Sequence, residues 1–187
     1  MKSAVLVFTL LGLSSVLIIP DRQLTFSALR STEASAEQAA FEKREAAYRA
    51  NNIGVALLEQ YKAKEAVESF QRALEIKPDL LLARINLAIA LYYFPEAAAA
   101  QREAEKALTQ DGNVPQPHYI LGLLARAQNR FDEAIAEFQK VLKIGADDVG
   151  TNVNLGQIFA QQKKYPEAIA ALSSRHRCRT LQRNGAL

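Results

Sequence analysis

The chain has no tryptophan, one methionine, one cysteine and two histidines among 187 residues. Each scarcity excludes a class of chemistry. Cys178 alone cannot close an internal disulfide framework, and with only His118 and His176 beside it no cluster has metal-ligand spacing. No metal or cofactor is expected. Serine, histidine and aspartate nowhere form a nucleophilic set, no glycine-rich loop is placed to cradle a phosphate, and no carboxylate pair flanks a cleft. The acids fall on the outer faces of predicted helices, as Glu65/Glu68 and Glu133/Glu137 do, where water solvates them. His118, at the start of a predicted helix, suits packing or solvation better than catalysis. The chain reads as non-enzymatic.

A net excess of positive charge is confined to one place. The formal net charge is +3, but residues 175–187 hold four arginines (Arg175, Arg177, Arg179, Arg183) and no acid. The rest of the chain is therefore slightly net acidic. No basic stripe with interleaved aromatics remains, which excludes nucleic acid as the partner.

What the chain has is apolar residues, 49% of the total, and they recur. "YKAKEAVESFQRALEIKPDL" and "NRFDEAIAEFQKVLKIGADD" share one skeleton. Shifted by 34 residues, the sequence aligns on itself without gaps from Ala47 onward, in four copies at 47–80, 81–114, 115–148 and an incomplete 149–172. One column reads Ile53, Leu87, Leu121, Leu155, and the next Gly54, Ala88, Gly122, Gly156. Later columns read Ala66, Ala100, Ala134, Ala168, then Phe70, Ala104, Phe138, Leu172. A fifth holds Ala73, Ala107 and Val141 and breaks at Arg175. Small residues on a first helix let a second approach closely, and Ala66, Phe70 and Ala73 make one stripe on that second helix. Pro78, Asp111-Gly112-Asn113 and Gly145-Ala146-Asp147-Asp148 mark the exits. The expected fold is all-α: a solenoid of antiparallel helix pairs over residues 35–172, each unit burying its apolar face against its neighbours.

The period and the small, small, aromatic, small, proline pattern resemble the tetratricopeptide repeat. Copies one and three match best. Copy two has Ala104 where an aromatic is usual and Tyr92-Tyr93-Phe94-Pro95 at its inner turn, and none of the four has the family's frequent tryptophan, its place taken by Ala50, Arg84, His118 and Asn152. The resemblance implies that the first helices line a concave face. It also implies a partner there, a peptide or a helix of another protein, held by Asn52, Val55, Ile85, Asn86, Ile89, Tyr92, Tyr119, Leu123, Asn154 and Gln157. Asn52, Asn86 and Asn154 could hold an extended peptide backbone or could bridge neighbouring helices. Chaperone-adaptor members of the family grip a terminal carboxylate with two lysines, an arginine and two asparagines. The matching positions are Asn51, Val55, Asn86, Gln116 and Ile120, and only Asn86 agrees, so that clamp is not expected.

The ends differ from the repeats. Lys2 followed by the apolar run from Ala4 to Ile19 reads as an export signal or an N-terminal membrane anchor over residues 1–20, with a buried core helix as the alternative. The repeats are then expected outside the cytoplasm, periplasmic or membrane-anchored facing the periplasm. Residues 21–34 read as a linker, and Ser35 with Gln38 as a capping box opening the next helix. Residues 173–187 read as an irregular basic tail. Because the register collapses in mid-helix, a frame change or truncation is one expectation there, which would make the array an accessory module of a longer exported protein or enzyme. A fourth copy docking on a second chain is another.

Overall fold

The computed structural model describes residues 21–145 and 148–173, and among them every regular element is helical. The helices are α1 (Asp21–Glu59), α2 (Ala63–Ile76), α3 (Leu81–Tyr93), α4 (Ala97–Gln110), α5 (Pro115–Ala127), α6 (Phe131–Ile144), α7 (Val149–Gln161) and α8 (165–173). The end of α1 with α2, then α3 with α4, α5 with α6, and α7 with α8 make four hairpins in the register of the sequence repeat. The fold is the helical solenoid expected. The segments read as signal or anchor (1–20) and most of the basic tail (174–187) lie outside the described residues. Among the described residues no helix is long and apolar enough to cross a membrane.

One expectation is overturned. Residues 21–34, read as a linker, are helical and continue into Glu59, so Ser35 stands in mid-helix rather than at a cap. The physical reason is visible afterwards: from Asp21 to Glu59 the only glycine is Gly54 and there is no proline, and serine and threonine lower helix stability without breaking it. Two compact units divide the chain, residues 1–45 and 46–187. In the first, Gln38 donates to Glu42 Oε1 at 2.9 Å and the Arg44 guanidinium lies 5.6 Å from the centre of the Phe41 ring.

Within the second unit each hairpin closes on one contact between its two helices. A methyl group placed on Gly54 would lie 2.6 Å from the Phe70 ring, and one on Gly122 would lie 2.6 Å from the Phe138 ring. Both rings are fully buried. Gly156 stands in the same relation to Leu172. In copy two the ring is gone, and the buried pair at these positions is Ala88 and Ala104. A large residue on the second helix thus goes with glycine on the first, and alanine with alanine. Burying one such ring contributes about 2–3 kcal/mol. Between copies, α2 packs on α3, α4 on α5 and α6 on α7, while α3 also meets α5.

The turns inside the hairpins repeat as well. Tyr61, Asn129 and Lys163 have φ near 60°, and they stand at whole multiples of the 34-residue period from one another. Their amides donate to Leu58, Arg126 and Ala160, and the next residues reach back to Leu57, Ala125 and Phe159, which satisfies carbonyls at the helix end. Copy two has Pro95 at that position. Its ring forbids positive φ and it has no N–H, so only the longer bond, Glu96 N to Leu91 O at 3.1 Å, remains.

Candidate functional site

The first helices of the four hairpins carry the candidate site. On α5, Tyr119, Leu123 and Arg126 follow one another at spacings of four and three, which puts them in one row along the helix. Two hollows adjoin that row. The first, of about 420 Å³, is lined by Ile89 and Tyr93 of α3, by Pro115, Gln116, Tyr119, Ile120 and Leu123 of α5, by Val141 of α6, and by Asp148 and Gly150 at the start of α7. The second, of about 540 Å³, is lined by Arg126, Asn129, Gln157, Ala160 and Gln161. Pro115 sits in the first turn of α5, where its missing N–H costs nothing. Asp148 caps α7, its Oδ1 accepting from Thr151 N at 2.5 Å. A side chain on Gly150 would come within 3.1 Å of the Tyr119 hydroxyl, so glycine there leaves that hydroxyl room.

Tyr119 is the polar centre. Its hydroxyl accepts from Asn154 Nδ2 at 3.1 Å, and Asn154 Nδ2 also donates to Gly150 O at 2.8 Å. The ring leans on Phe138 with centroids 5.8 Å apart. Burial pushes the Tyr119 phenol above its ordinary range, against the opposing effect of the Asn154 hydrogen bond. It therefore stays protonated near neutral pH. Having accepted from Asn154, it keeps its own proton to give to a ligand.

The expected site residues separate into three groups. Ile89, Tyr119 and Leu123 line the first hollow and Gln157 the second. Val55, Ile85, Asn86, Tyr92 and Asn154 support the face from beneath. Val55 and Tyr92 pack on the core around Phe70 and Leu91, and Ile85 is buried. Asn86 Nδ2 donates to Asn51 Oδ1 at 2.9 Å across to α1, and Asn154 serves Tyr119. Asn52 is exposed, away from both hollows, and accepts only a 3.3 Å contact from Asn51 Nδ2. Of the two roles open to the asparagines, Asn86 and Asn154 thus perform the bridging one.

Both bridges run from one copy to the residue 35 places later, Asn51 to Asn86 and Tyr119 to Asn154. The middle pair in that register is Ile85 and Ile120, both buried. Polar meets polar at the two ends and apolar meets apolar between them. A slip of one copy would set an amide against isoleucine.

Sequence reasoning missed Tyr93 and Asp148. Tyr93 is exposed, and its ring meets Tyr92 edge-on at 5.4 Å. Two further sets were also missed. Arg84 donates to Glu103 at 2.9 Å and Lys106 joins at 2.7 Å; 34 residues on, His118 Nδ1 meets Glu137 at 2.7 Å and Lys140 joins at 2.6 Å. Arg84 and His118 occupy the place of the family's tryptophan and tie first helix to second through polar groups. His118, expected to pack or to be solvated, is buried and paired.

Comparison with known proteins agrees with this geometry. Tetratricopeptide-repeat family models match residues 46–77, 85–149 and 125–175. Among curated proteins, the Protein O-mannosyl-transferase Tmtc3 of Drosophila melanogaster is 39% identical over 41 residues, covering 22% of this chain and only 4% of its own length. Among solved structures, MamA superposes with a TM-score of 0.67 at 15% identity, covering 90% of this chain and 98% of that one. YrrB, described as a TPR protein with an unusual peptide-binding site, gives 0.58 at 19% identity, covering 74% and 72%. The first TPR of Spaghetti (RPAP3), bound to the HSP90 peptide SRMEEVD, gives 0.60 at 18% identity, covering 64% and 94%. At these identities the likeness is one of fold.

Proposed function

We propose, from the premise that the repeats of this chain belong to the tetratricopeptide-repeat family, that it is a non-enzymatic scaffold whose concave face captures a segment of another protein. The observation that carries this is the hollow beside α5. It is apolar at Ile89, Ile120 and Leu123, of a size to take one or two side chains, and it holds one hydroxyl proton at Tyr119 for a backbone carbonyl. Two fold neighbours are described as peptide-binding, which supports the class of partner. The scaffold is placed outside the cytoplasm, released or anchored, because an apolar run follows Lys2.

Ile89→Glu with Leu123→Glu tests the face. Both residues are half-buried at the hollow, so two carboxylates there abolish capture of a cross-linked partner from envelope extracts while the helical circular dichroism is retained. Unchanged capture by the folded double variant contradicts the assignment.

A second reading, self-association through the last hairpin, has one observation in its favour. Tyr165, Ile169 and Leu172 are exposed at spacings of four and three on α8. At the equivalent places in copy three, Phe131, Ile135 and Phe138 pack in the cluster that includes Leu155 and Ile158 of α7. Light scattering that finds only monomer at high concentration eliminates this reading.

A further inference from the structure

By the resemblance, five positions of each first helix fall on the concave side, the second, fifth, sixth, ninth and twelfth, although Asn51, Ile85, Ile120 and Asn154 among them are buried here. Over all four copies, Arg126 is the one charged residue at these positions; the others are apolar or neutral, asparagine and glutamine included. The residue is half-buried along its length, and at its exposed end Nη1 donates to the neutral amide oxygen of Gln157 at 2.5 Å. Among the described residues no carboxylate lies within ion-pair distance of it, whereas Arg84 and Arg130 each have a glutamate. A guanidinium presents five donors, and one amide oxygen satisfies few of them. The other charge near the face, Asp148, stands at the opposite end of the α5 row, with one oxygen already engaged in capping α7. The face therefore has a direction: an anion at one end, an apolar hollow, and an uncompensated cation at the other.

We infer that Arg126 sets the specificity of the concave face by pairing with an acidic side chain of the bound peptide, an aspartate or glutamate spaced from the apolar residue that fills the hollow at Ile89, Tyr119 and Leu123. The inference rests on the peptide-capture reading and names the chemistry of its ligand. The spacing follows from the row itself. Seven residues of α-helix separate Tyr119 from Arg126, roughly 10 Å at 1.5 Å per residue. An extended peptide covers that distance in about three residues at 3.3 Å each. The ligand has an apolar side chain and, about three positions away, an acid. An acid at the other end of the peptide would meet Asp148 and be repelled.

The test uses the full chain and short acetylated, amidated peptides of serine and alanine carrying one leucine or phenylalanine and one glutamate. The glutamate is placed one to five positions away on either side, with a glutamine version of each. Fluorescence anisotropy is expected to show glutamate peptides of the right spacing bound about threefold to tenfold more tightly than their glutamine versions, a margin that narrows with salt. Arg126→Gln erases the margin between glutamate and glutamine peptides. Arg126→Glu turns the preference toward lysine. Equal binding of glutamate and glutamine peptides by the unaltered chain overturns the inference and leaves peptide capture standing. A margin that survives Arg126→Gln overturns it too, as does a free C-terminus preferred over an internal glutamate. Failure of every peptide to bind removes both the inference and the reading beneath it.

Discussion

Copies two and three share one register and solve it with different residues. Copy three closes on an aromatic ring, Phe138, seated over Gly122, and its inner turn passes through Asn129 in the left-handed region. Copy two closes on Ala104 opposite Ala88 and turns through Pro95, which cannot enter that region. Yet both tie first helix to second with a glutamate shared by a lysine and a second cation-forming group, Glu103 in one and Glu137 in the other. The difference teaches that a ring on the second helix requires glycine opposite it, while a hairpin without the ring closes on two alanines. Copy two also ends its first helix on Tyr93, which lines the hollow, so the copy that lacks a ring in the core carries one at the surface.

The comparison breaks hardest at the ring. Phe138→Ala is expected to cost about 3–5 kcal/mol in urea unfolding, while Ala104→Gly in copy two costs only about 1 kcal/mol. Equal losses would mean that the two contacts are not the alternatives described. Next comes the glycine. Gly122→Ala puts a methyl into a ring that has nowhere to go and should destabilise by about 1–3 kcal/mol, net of the gain in helix propensity. Grafting the copy-three pair onto copy two sharpens the same point. Ala104→Phe alone should destabilise, and adding Ala88→Gly should recover part of that loss, a coupling readable from a double-mutant cycle.

Smaller effects are expected at the shared glutamates. Glu103→Gln leaves a largely buried guanidinium short of its counter-charge, at about 1–3 kcal/mol, and Glu137→Gln costs less because an imidazole N–H can still donate to the amide oxygen that replaces the carboxylate. The reverse order would show that the two pairs are not equivalent. Smallest is the turn. Tyr61 has positive φ and its side chain is 97% exposed, so Tyr61→Gly removes strain without removing packing. A gain of about 0.5–1 kcal/mol is expected, and a loss would contradict the reading of that turn.

The period of the repeat and the columns of small and aromatic residues were readable in the sequence because equivalent residues stand 34 apart and self-alignment stacks them. The contacts that join copies were not. Asn51 to Asn86 and Tyr119 to Asn154 run at 35, one step off the column, so an alignment that reveals the repeat hides its bridges. Ile85 and Asn154 looked like lining residues for the same reason, since a position on the concave side can be covered by its diagonal neighbour. The helix over 21–34 was missed because serine and threonine there resembled a linker, although no glycine or proline interrupts them. Tyr93 and Asp148 stand at the ends of α3 and α7, outside the columns of small and aromatic residues that self-alignment reveals.

The central claim is that capture happens along the α5 row of the concave face. Amide chemical-shift mapping on the isotopically labelled chain, titrated with the leucine–glutamate peptide of matching spacing, tests it most directly. The account predicts shifts confined to α3, α5 and α7, largest around Tyr119, Leu123 and Arg126. Shifts centred on the outer faces of α4 and α6, near Arg102 or Lys140, would contradict it.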